Sequence, residues 1–381
     1  IHDDDIDFAR LLLGLGVDVN KKVRCEDRSR LQMAVEKNSA GMVELLLKLG
    51  AGEDSETCLQ IARDQGYEKL TALILAALAG AGGVLIGGAA PAAAETRAVV
   101  IMYHRFGESR YPSTNVTLEQ FEAHLQELRS GGYRVMALAD IVDALLGAKT
   151  LPDRAVGLSI DDAFLSVYTE AWPRLKKAGF PFTLFVATGA VGHKQSGYMN
   201  WDQIREMARA GVAIGSQTET HLHMPDADDT RNRGELERSN KRFEEELGQR
   251  PSLIAYPYGE SSLAVHTVVK EARFAAAFGQ HSGAIGSGGN IFDLPRFAMN
   301  ENYAGLARFR LAVNALPLPV TDITPADPLI GAVYPPAMGF TVDAAIKNLD
   351  QLACFSSNAG KAKLERLGER RVEIRVDQAF P

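Results

Sequence analysis

Two adjacent carboxylates end an apolar run at Val156-Gly157-Leu158-Ser159-Ile160-Asp161-Asp162-Ala163. An unpaired carboxylate in a core costs several kcal/mol, and a like charge beside it costs more. A chain that keeps such a pair at the mouth of a core either holds a cation there or leaves the pair solvated in a turn or helix cap. The run before the pair reads as a buried strand, and Phe164 to Lys177 reads as an amphipathic helix. Strand, acidic pair, helix is the arrangement in which α/β enzymes carry catalytic groups.

Other candidate groups stand at comparable places. Tyr103-His104 ends one apolar run, and Ser216-Gln217-Thr218-Glu219-Thr220-His221-Leu222-His223 follows another. Tyr256-Pro257-Tyr258-Gly259 follows a third, and Gln280-His281 and Leu294-Pro295-Arg296 come later. Five of the eight histidines (104, 193, 221, 223 and 281) fall at such ends or in the loops after them. A carboxylate and imidazoles gathered on one face can bind a Zn²⁺-like ion and leave a position for water.

The elements that must position these groups alternate from Arg97 onward. Ala98 to Tyr103 reads as a strand, and Thr117 to Ser130 carries Leu118, Phe121, Leu125 and Leu128 at helical spacing. Strands at Val135, Val156, Phe182, Val212 and Leu253 alternate with helices at Ile141, Phe164, Trp201, Arg231 and Leu263. Phe274 to Phe278 and Phe292 to Met299 add extended segments. About six βα units with short loops argue for a parallel sheet, and this many units favour a barrel distorted to seven strands over an open sheet.

The flanks have different textures. Residues 1–78 repeat: Phe8 to Asn20 is echoed by Met42 to Ala51, and Leu31-Gln32-Met33-Ala34 by Leu59-Gln60-Ile61-Ala62. Paired short helices at a period near 33 describe a solenoid. The Leu-Leu-Leu-x-x-Gly pattern resembles ankyrin repeats, which implies a protein-binding surface; the opening turn, Arg28-Ser29-Arg30-Leu31, departs from the family. Leu70 to Ala94 carries no charge and ends Pro91-Ala92-Ala93-Ala94, like a signal-peptide core with its cleavage site. Residues 70–94 are also long enough for membrane association, and 79–96 alternatively make an Ala/Gly-rich linker. Residues 316–381 read as a β-rich segment, with strands at Phe340, Leu352 and Val372. The chain opens at Ile1-His2 and stops at Phe380-Pro381, so both ends read as truncations. A net charge of −7 gives no basic footprint for nucleic acid. Cys25, Cys58 and Cys354 are too few and too scattered for a disulfide framework or a thiolate metal site.

The strand-end motifs, in their order, resemble the NodB-homology polysaccharide deacetylases of carbohydrate esterase family four, over about Val99 to Asn314. The resemblance implies that Asp161 is the general base, Asp162 and His221 metal ligands, and His104 the general acid. Gln217 stands where the first metal histidine is expected; its carboxamide oxygen or His223 would complete the site. Ala163 replaces a glycine, and the arginine expected before Tyr256 is absent at Ala255, leaving Arg296 to substitute. His281 is a further pocket candidate, and Tyr256, Pro257 and Trp201 are candidates for substrate contact. The implied reaction is hydrolysis of N-acetyl groups on an N-acetylglucosamine-type polysaccharide, at a carbon–nitrogen bond other than a peptide bond. A divalent metal, Zn²⁺ first and Co²⁺, Ni²⁺ or Fe²⁺ as alternatives, would acidify water, and the Tyr258 N–H would stabilise the oxyanion. Such an enzyme is expected in the periplasm or outside the cell. The rival reading is a non-catalytic glycan-binding or scaffold protein whose metal site decayed at Gln217. A glycosidase using Asp161 and Asp162 is disfavoured, because adjacent residues rarely separate their carboxyls by about 5–9 Å.

Overall fold

The computed structural model of the chain describes residues 29–48, 54–81, 97–148, 150–192, 196–286, 288–330, 336–356 and 360–376. The chain divides into two compact units, Ile1–Ala92 and Ala93–Pro381.

The first unit contains helices α1 (Arg30–Glu36), α2 (Ala40–Lys48), α3 (Ser55–Asp64) and α4 (Glu68–Ala81). Ser29 opens α1 by accepting from the N–H of Gln32 at 3.1 Å, satisfying one orphan donor of the first turn. α1 pairs with α2 and α3 with α4, and the two hairpins lie against each other. Leu31, Val35, Met42, Val43, Leu46, Cys58, Leu70 and Ile74 fill the seam. Stacking is what buries these faces, since neither hairpin encloses its own. Two stacked helical hairpins are established, an ankyrin-like solenoid is not. The first repeat unit, Cys25 and residues 82–96 lie outside the described residues. Membrane association through 70–94 is corrected. α4 has 14 residues, which at 1.5 Å each span roughly 21 Å against about 30 Å of hydrocarbon. Among the described residues no helix is long and apolar enough to cross a membrane.

The second unit begins with β1 (Arg97–Tyr103), the short parallel pair β2 (Arg105–Phe106) and β3 (Asn115–Val116), α5 (Leu118–Ser130), β4 (Arg134–Met136) and α6 (Leu138–Leu145). It continues through β5 (Ala155–Ile160), α7 (Trp172–Ala178), β6 (Thr183–Val186), α8 (Thr188–Gly192), α9 (Trp201–Arg209) and β7 (Ala213–Ser216). Then come α10 (Asp229–Leu247), β8 (Leu253–Ala255), α11 (Leu263–Glu271), β9 (Ala276–Phe278), β10 (Ile285–Gly286), β11 (Phe297–Ala298) and α12 (Leu306–Val313).

Seven parallel strands, β1 and β4 to β9, curl into a half-barrel of the distorted (β/α)7 kind. β5 is the hub. β1 runs along its whole length, from Ala98 opposite Ala155 to Tyr103 opposite Ile160. On its other edge β4 occupies the first half and β6 the second, and this sharing is the distortion. On the outer edge of β1, β10 is antiparallel and β11 parallel.

Strand alternation decides which β5 residues face which layer. Val156, Leu158 and Ile160 join Phe121, Leu175, Ile204 and Phe309 of the surrounding helices. The alternate residues face a second cluster containing Phe185, Phe278 and Leu138. Gly157 is required there: a Cβ would meet Leu138 Cδ2 at 2.4 Å. Continuing the alternation past the strand end turns Asp161 inward and leaves Asp162 on the rim.

A small β-rich segment follows: β12 (Val320–Thr324), β13 (Met338–Val342), β14 (Phe355–Ser356), β15 (Gly360–Lys361), β16 (Lys363–Leu367) and β17 (Arg371–Arg375). Four of these form an antiparallel sheet in the order β12-β13-β17-β16 over Val342, Leu349 and Val372.

Candidate functional site

Asp161 lies inside the curl and is fully buried. Both its oxygens accept from Arg296, at 2.7 and 2.8 Å. Arg296 is also fully buried, and it spends its other donors on Gly279 O at 2.8 Å and Ser159 Oγ at 3.1 Å. The ion pair is thus desolvated and hydrogen-bonded on both sides, the condition under which a buried charge is tolerated. Arg296 comes from the stretch just before β11, which pairs with the edge of β1 opposite β5.

Asp162 follows in a left-handed conformation, φ 73°. Its N–H donates to Gln217 Oε1 at 2.9 Å, and its Oδ1 stands 3.3 Å from His221 Nε2. That contact is electrostatic; Oδ1 has no hydrogen bond of good geometry. Burial raises the Asp162 pKa, but contact with His221 and the positive field of His104, His221 and Arg105 outweigh it, leaving the group below the ordinary carboxylate range.

The His221 loop is held from beneath. Buried Glu235 of α10 accepts from the N–H groups of Glu219 and Thr220 at 3.2 and 2.8 Å and from Thr220 Oγ1 at 3.0 Å. Thr218 Oγ1 accepts from His221 N, and Gly189 of α8 donates to Glu219 O at 2.8 Å. Sequence reasoning missed Glu235, because α10 is dense in charges and nothing marks this one as buried. Tyr258, at φ 59°, packs edge-on to His221 with centroids 4.6 Å apart. Together with Tyr198, Thr220, Gly189 and Asp162, these groups line a pocket of about 330 Å³. A hollow of about 380 Å³ at the opposite end of β1 and β5 is larger, but Arg97 pairs there with Asp153 at 2.7 Å, Arg154 bonds Asn314 at 2.9 Å, and no carboxylate–imidazole pair faces it.

The remaining candidates do not converge on one ion. His223 stacks on Tyr258 at 3.9 Å, with the rings 2° from parallel, and meets Glu260 at 2.7 Å. His281 lies 3.9 Å from Asp293 and is half-exposed. Trp201 is buried edge-on to Phe243, and Tyr256 is buried with its hydroxyl donating to Phe292 O at 2.9 Å. Pro257 is buried too, and His193 lies outside the described residues.

A metal does not fit this donor set. Gln217 is buried with its oxygen accepting from Asp162 N, and its amide nitrogen Nε2, a donor without a partner, cannot ligate a cation. Asp162 and His221 are two donors, where an open zinc site uses three. Among the described residues no group of three or more His, Cys, Asp or Glu side chains could hold a metal ion. The expected Zn²⁺, Co²⁺, Ni²⁺ or Fe²⁺ cofactor is therefore corrected, and with it the metal-dependent hydrolase. A carboxamide stands where the resemblance implies imidazole, and His223 is turned to Tyr258 and Glu260 instead of filling the gap.

Residues 148–277 match the family model described as polysaccharide deacetylase. A putative polysaccharide deacetylase, YxkH, of Bacillus subtilis is 26% identical over 208 residues, covering 55% of this chain and 73% of the relative. Poly-beta-1,6-N-acetyl-D-glucosamine N-deacetylases of Staphylococcus aureus strains are 25% identical over 239 residues, covering 55% and 80%. Among solved structures, IcaB from Ammonifex degensii aligns at TM-score 0.52 and 27% identity, over 57% of this chain and 97% of that one. The Streptococcus pyogenes deacetylase PplD in complex with acetate aligns at TM-score 0.54 and 21% identity, over 57% and 98%. The comparisons thus support a polysaccharide deacetylase-type domain within the barrel, and the family match stops short of the N-terminal helices.

Proposed function

We propose that this polysaccharide deacetylase-type barrel binds an N-acetylated glycan without hydrolysing it. The observation that carries the reading is the state of Gln217. Its oxygen is tied to the backbone of Asp162, so the cleft keeps its shape while losing a metal donor. The pocket of about 330 Å³, walled by Tyr198 and Tyr258 with polar groups at its base, suits one acetamido sugar. The staphylococcal relatives are named for poly-beta-1,6-N-acetyl-D-glucosamine, and we assign this chain a ligand of the same class. Asp162, His221 and Tyr258 would contact the sugar. Asp161 and Arg296 would fix the strand end behind them, and His104 would hold the charge of Asp162.

The flanking segments extend the proposal. The Ala/Gly-rich, signal-like stretch before the barrel fits a location in the periplasm or outside the cell. The N-terminal hairpins, on their repeat pattern, would form an ankyrin-like surface for a protein partner. The test is calorimetric titration of the full chain with N-acetylglucosamine oligomers, run beside an acetate-release assay with and without added Zn²⁺. Saturable binding without acetate is expected. Metal-dependent acetate release would overturn the reading, and absence of binding would reduce the barrel to a scaffold.

A further inference from the structure

The barrel keeps three tyrosines exposed: Tyr111, Tyr258 and Tyr303, at 44%, 48% and 56%. Tyr111 sits between β2 and β3, in the segment that follows β1, and Tyr258 and Tyr303 sit on the loops after β8 and β11, so all three rise from the end of the barrel that carries Asp162. The other described tyrosines of the barrel are buried or half-buried. Each exposed ring is backed by a planar side chain. Arg105 lies over Tyr111 at 4.1 Å, His223 over Tyr258 at 3.9 Å, and Arg308 over Tyr303 at 5.2 Å. Exposure near one half is what a ring shows when one face is covered and the other is open. Such backing also lowers the entropy that a ligand must freeze out on stacking.

The three sites are joined by continuous contacts. Tyr258 and Tyr198 wall the Asp162 pocket. From Tyr198 the contacts run to Phe164 at 4.8 Å, from Phe164 to the Arg105 guanidinium at 3.3 Å, and on to Tyr111. The Tyr303 loop is then bonded to the Tyr111 loop. Asn300 Nδ2 donates to Ser113 O at 3.0 Å, and Asn115 Nδ2 donates to Glu301 Oε1 at 2.6 Å. Tyr111 and Tyr303 are absent from the lining of the pocket itself, so one sugar held there leaves both rings uncovered.

We infer that Tyr111, Tyr258 and Tyr303 are stacking platforms for a linear polysaccharide that runs beyond the pocket, a reading that rests on the proposed glycan binding. Pyranose rings with equatorial substituents present flat C–H faces, which pack on exposed aromatic faces and gain both apolar burial and attraction to the ring quadrupole. A chain of such sugars would place one residue between Tyr198 and Tyr258 and lay later residues on Tyr111 and Tyr303. Specificity would then reside in chain length as well as in the acetamido group.

The test is calorimetric titration of the full chain and its variants with the dimer and the hexamer of N-acetylglucosamine. The wild-type chain should bind the hexamer at least about tenfold more tightly than the dimer. Tyr111→Ala and Tyr303→Ala should each weaken the hexamer several-fold and leave the dimer unchanged, whereas Tyr258→Ala should weaken both. Tyr111→Leu, which keeps apolar packing against Arg105 but removes the aromatic face, should behave as Tyr111→Ala, with an unchanged melting temperature. Equal hexamer affinity in wild type, Tyr111→Ala and Tyr303→Ala would overturn the platforms while leaving the pocket reading intact. A wild-type chain that binds neither oligomer would overturn both.

Discussion

Replacing Gln217 with histidine should turn a cleft that rejects divalent ions into one that holds them. The substitution forfeits the bond from Asp162 N to Oε1, worth about 0.5–1.5 kcal/mol net. It also removes a buried amide nitrogen that has no partner, which offsets part of that loss. The metal-free variant should therefore melt within about 5 °C of the parent, taking roughly 2–4 °C per kcal/mol for a domain of this class. An imidazole at 217 gives Asp162 and His221 their missing third partner. With Zn²⁺ at about 100 times its Kd, binding should stabilise the variant by about 2.7 kcal/mol and raise its melting temperature by roughly 5–11 °C. The assay is thermal unfolding of both proteins with and without Zn²⁺, followed by metal analysis after gel filtration. The parent should show no shift and retain no metal, and His221→Ala in the variant background should erase the shift. A parent that shifts as far as the variant, or keeps near-stoichiometric metal, would refute the argument that the carboxamide blocks the ion.

Other perturbations follow from the same geometry. Arg296→Met strands the Asp161 carboxylate in the interior and should cost about 3–5 kcal/mol by urea unfolding, while adding Asp161→Leu should recover most of the loss; a double variant no better than the single would contradict the account. Glu235→Ala leaves the N–H groups of Glu219 and Thr220 unpaired and should cost about 2–4 kcal/mol, with faster amide exchange at both positions and weaker glycan binding. His124 is buried, stacked on Phe309 at 3.9 Å, and bonded to Ala304 O at 2.8 Å and Tyr103 OH at 3.0 Å. Burial pushes its pKa down to about 4, so the unfolded chain binds the extra proton between the ordinary value of 6.5 and that point. Its contribution should be full above pH 6.5 and fall by up to about 3 kcal/mol as pH drops to 4. His124→Leu paired with Tyr103→Phe should flatten that slope in melts run across the window.

Much of the barrel is legible because β5 is apolar at every buried position but Ser159 and ends in carboxylates, a pattern that suits a strand mouth. The pairing of Asp161 with Arg296 is less legible. It links positions 135 apart, and it depends on β11 lying beside β1 rather than on any local pattern. Trp201 and Tyr256 illustrate the opposite error. Both stand beside loops, where an aromatic reads as a ligand contact, yet the N-terminal turn of α9 and the end of β8 carry them into the core. For Gln217 the substitution is visible in the sequence but its consequence is not. The amide oxygen is taken by the Asp162 N–H, in a turn where Asp162 has left-handed backbone, and the amide nitrogen is left without a partner.

That backbone also bears on whether the cleft is a binding site or only an inherited shape. Among the described residues nine positions other than glycine have positive φ; three of them, Asp162, His221 and Tyr258, line the pocket, and Ala163 and Thr218 stand in the same turns. Each conformation costs a non-glycine residue about 1–2 kcal/mol relative to an unstrained alternative. Glycine at Ala163 would relieve the strain at the cost of one buried methyl in the core. A scaffold with no ligand gains stability from every such relaxation. A pocket whose Asp162, His221 and Tyr258 side chains must converge gains nothing from glycine at those three positions, since the side chain is the purpose of the strained backbone. Strain gathered where charged and aromatic side chains converge, with the His221 loop held by buried Glu235, supports the proposal that the cleft meets a ligand.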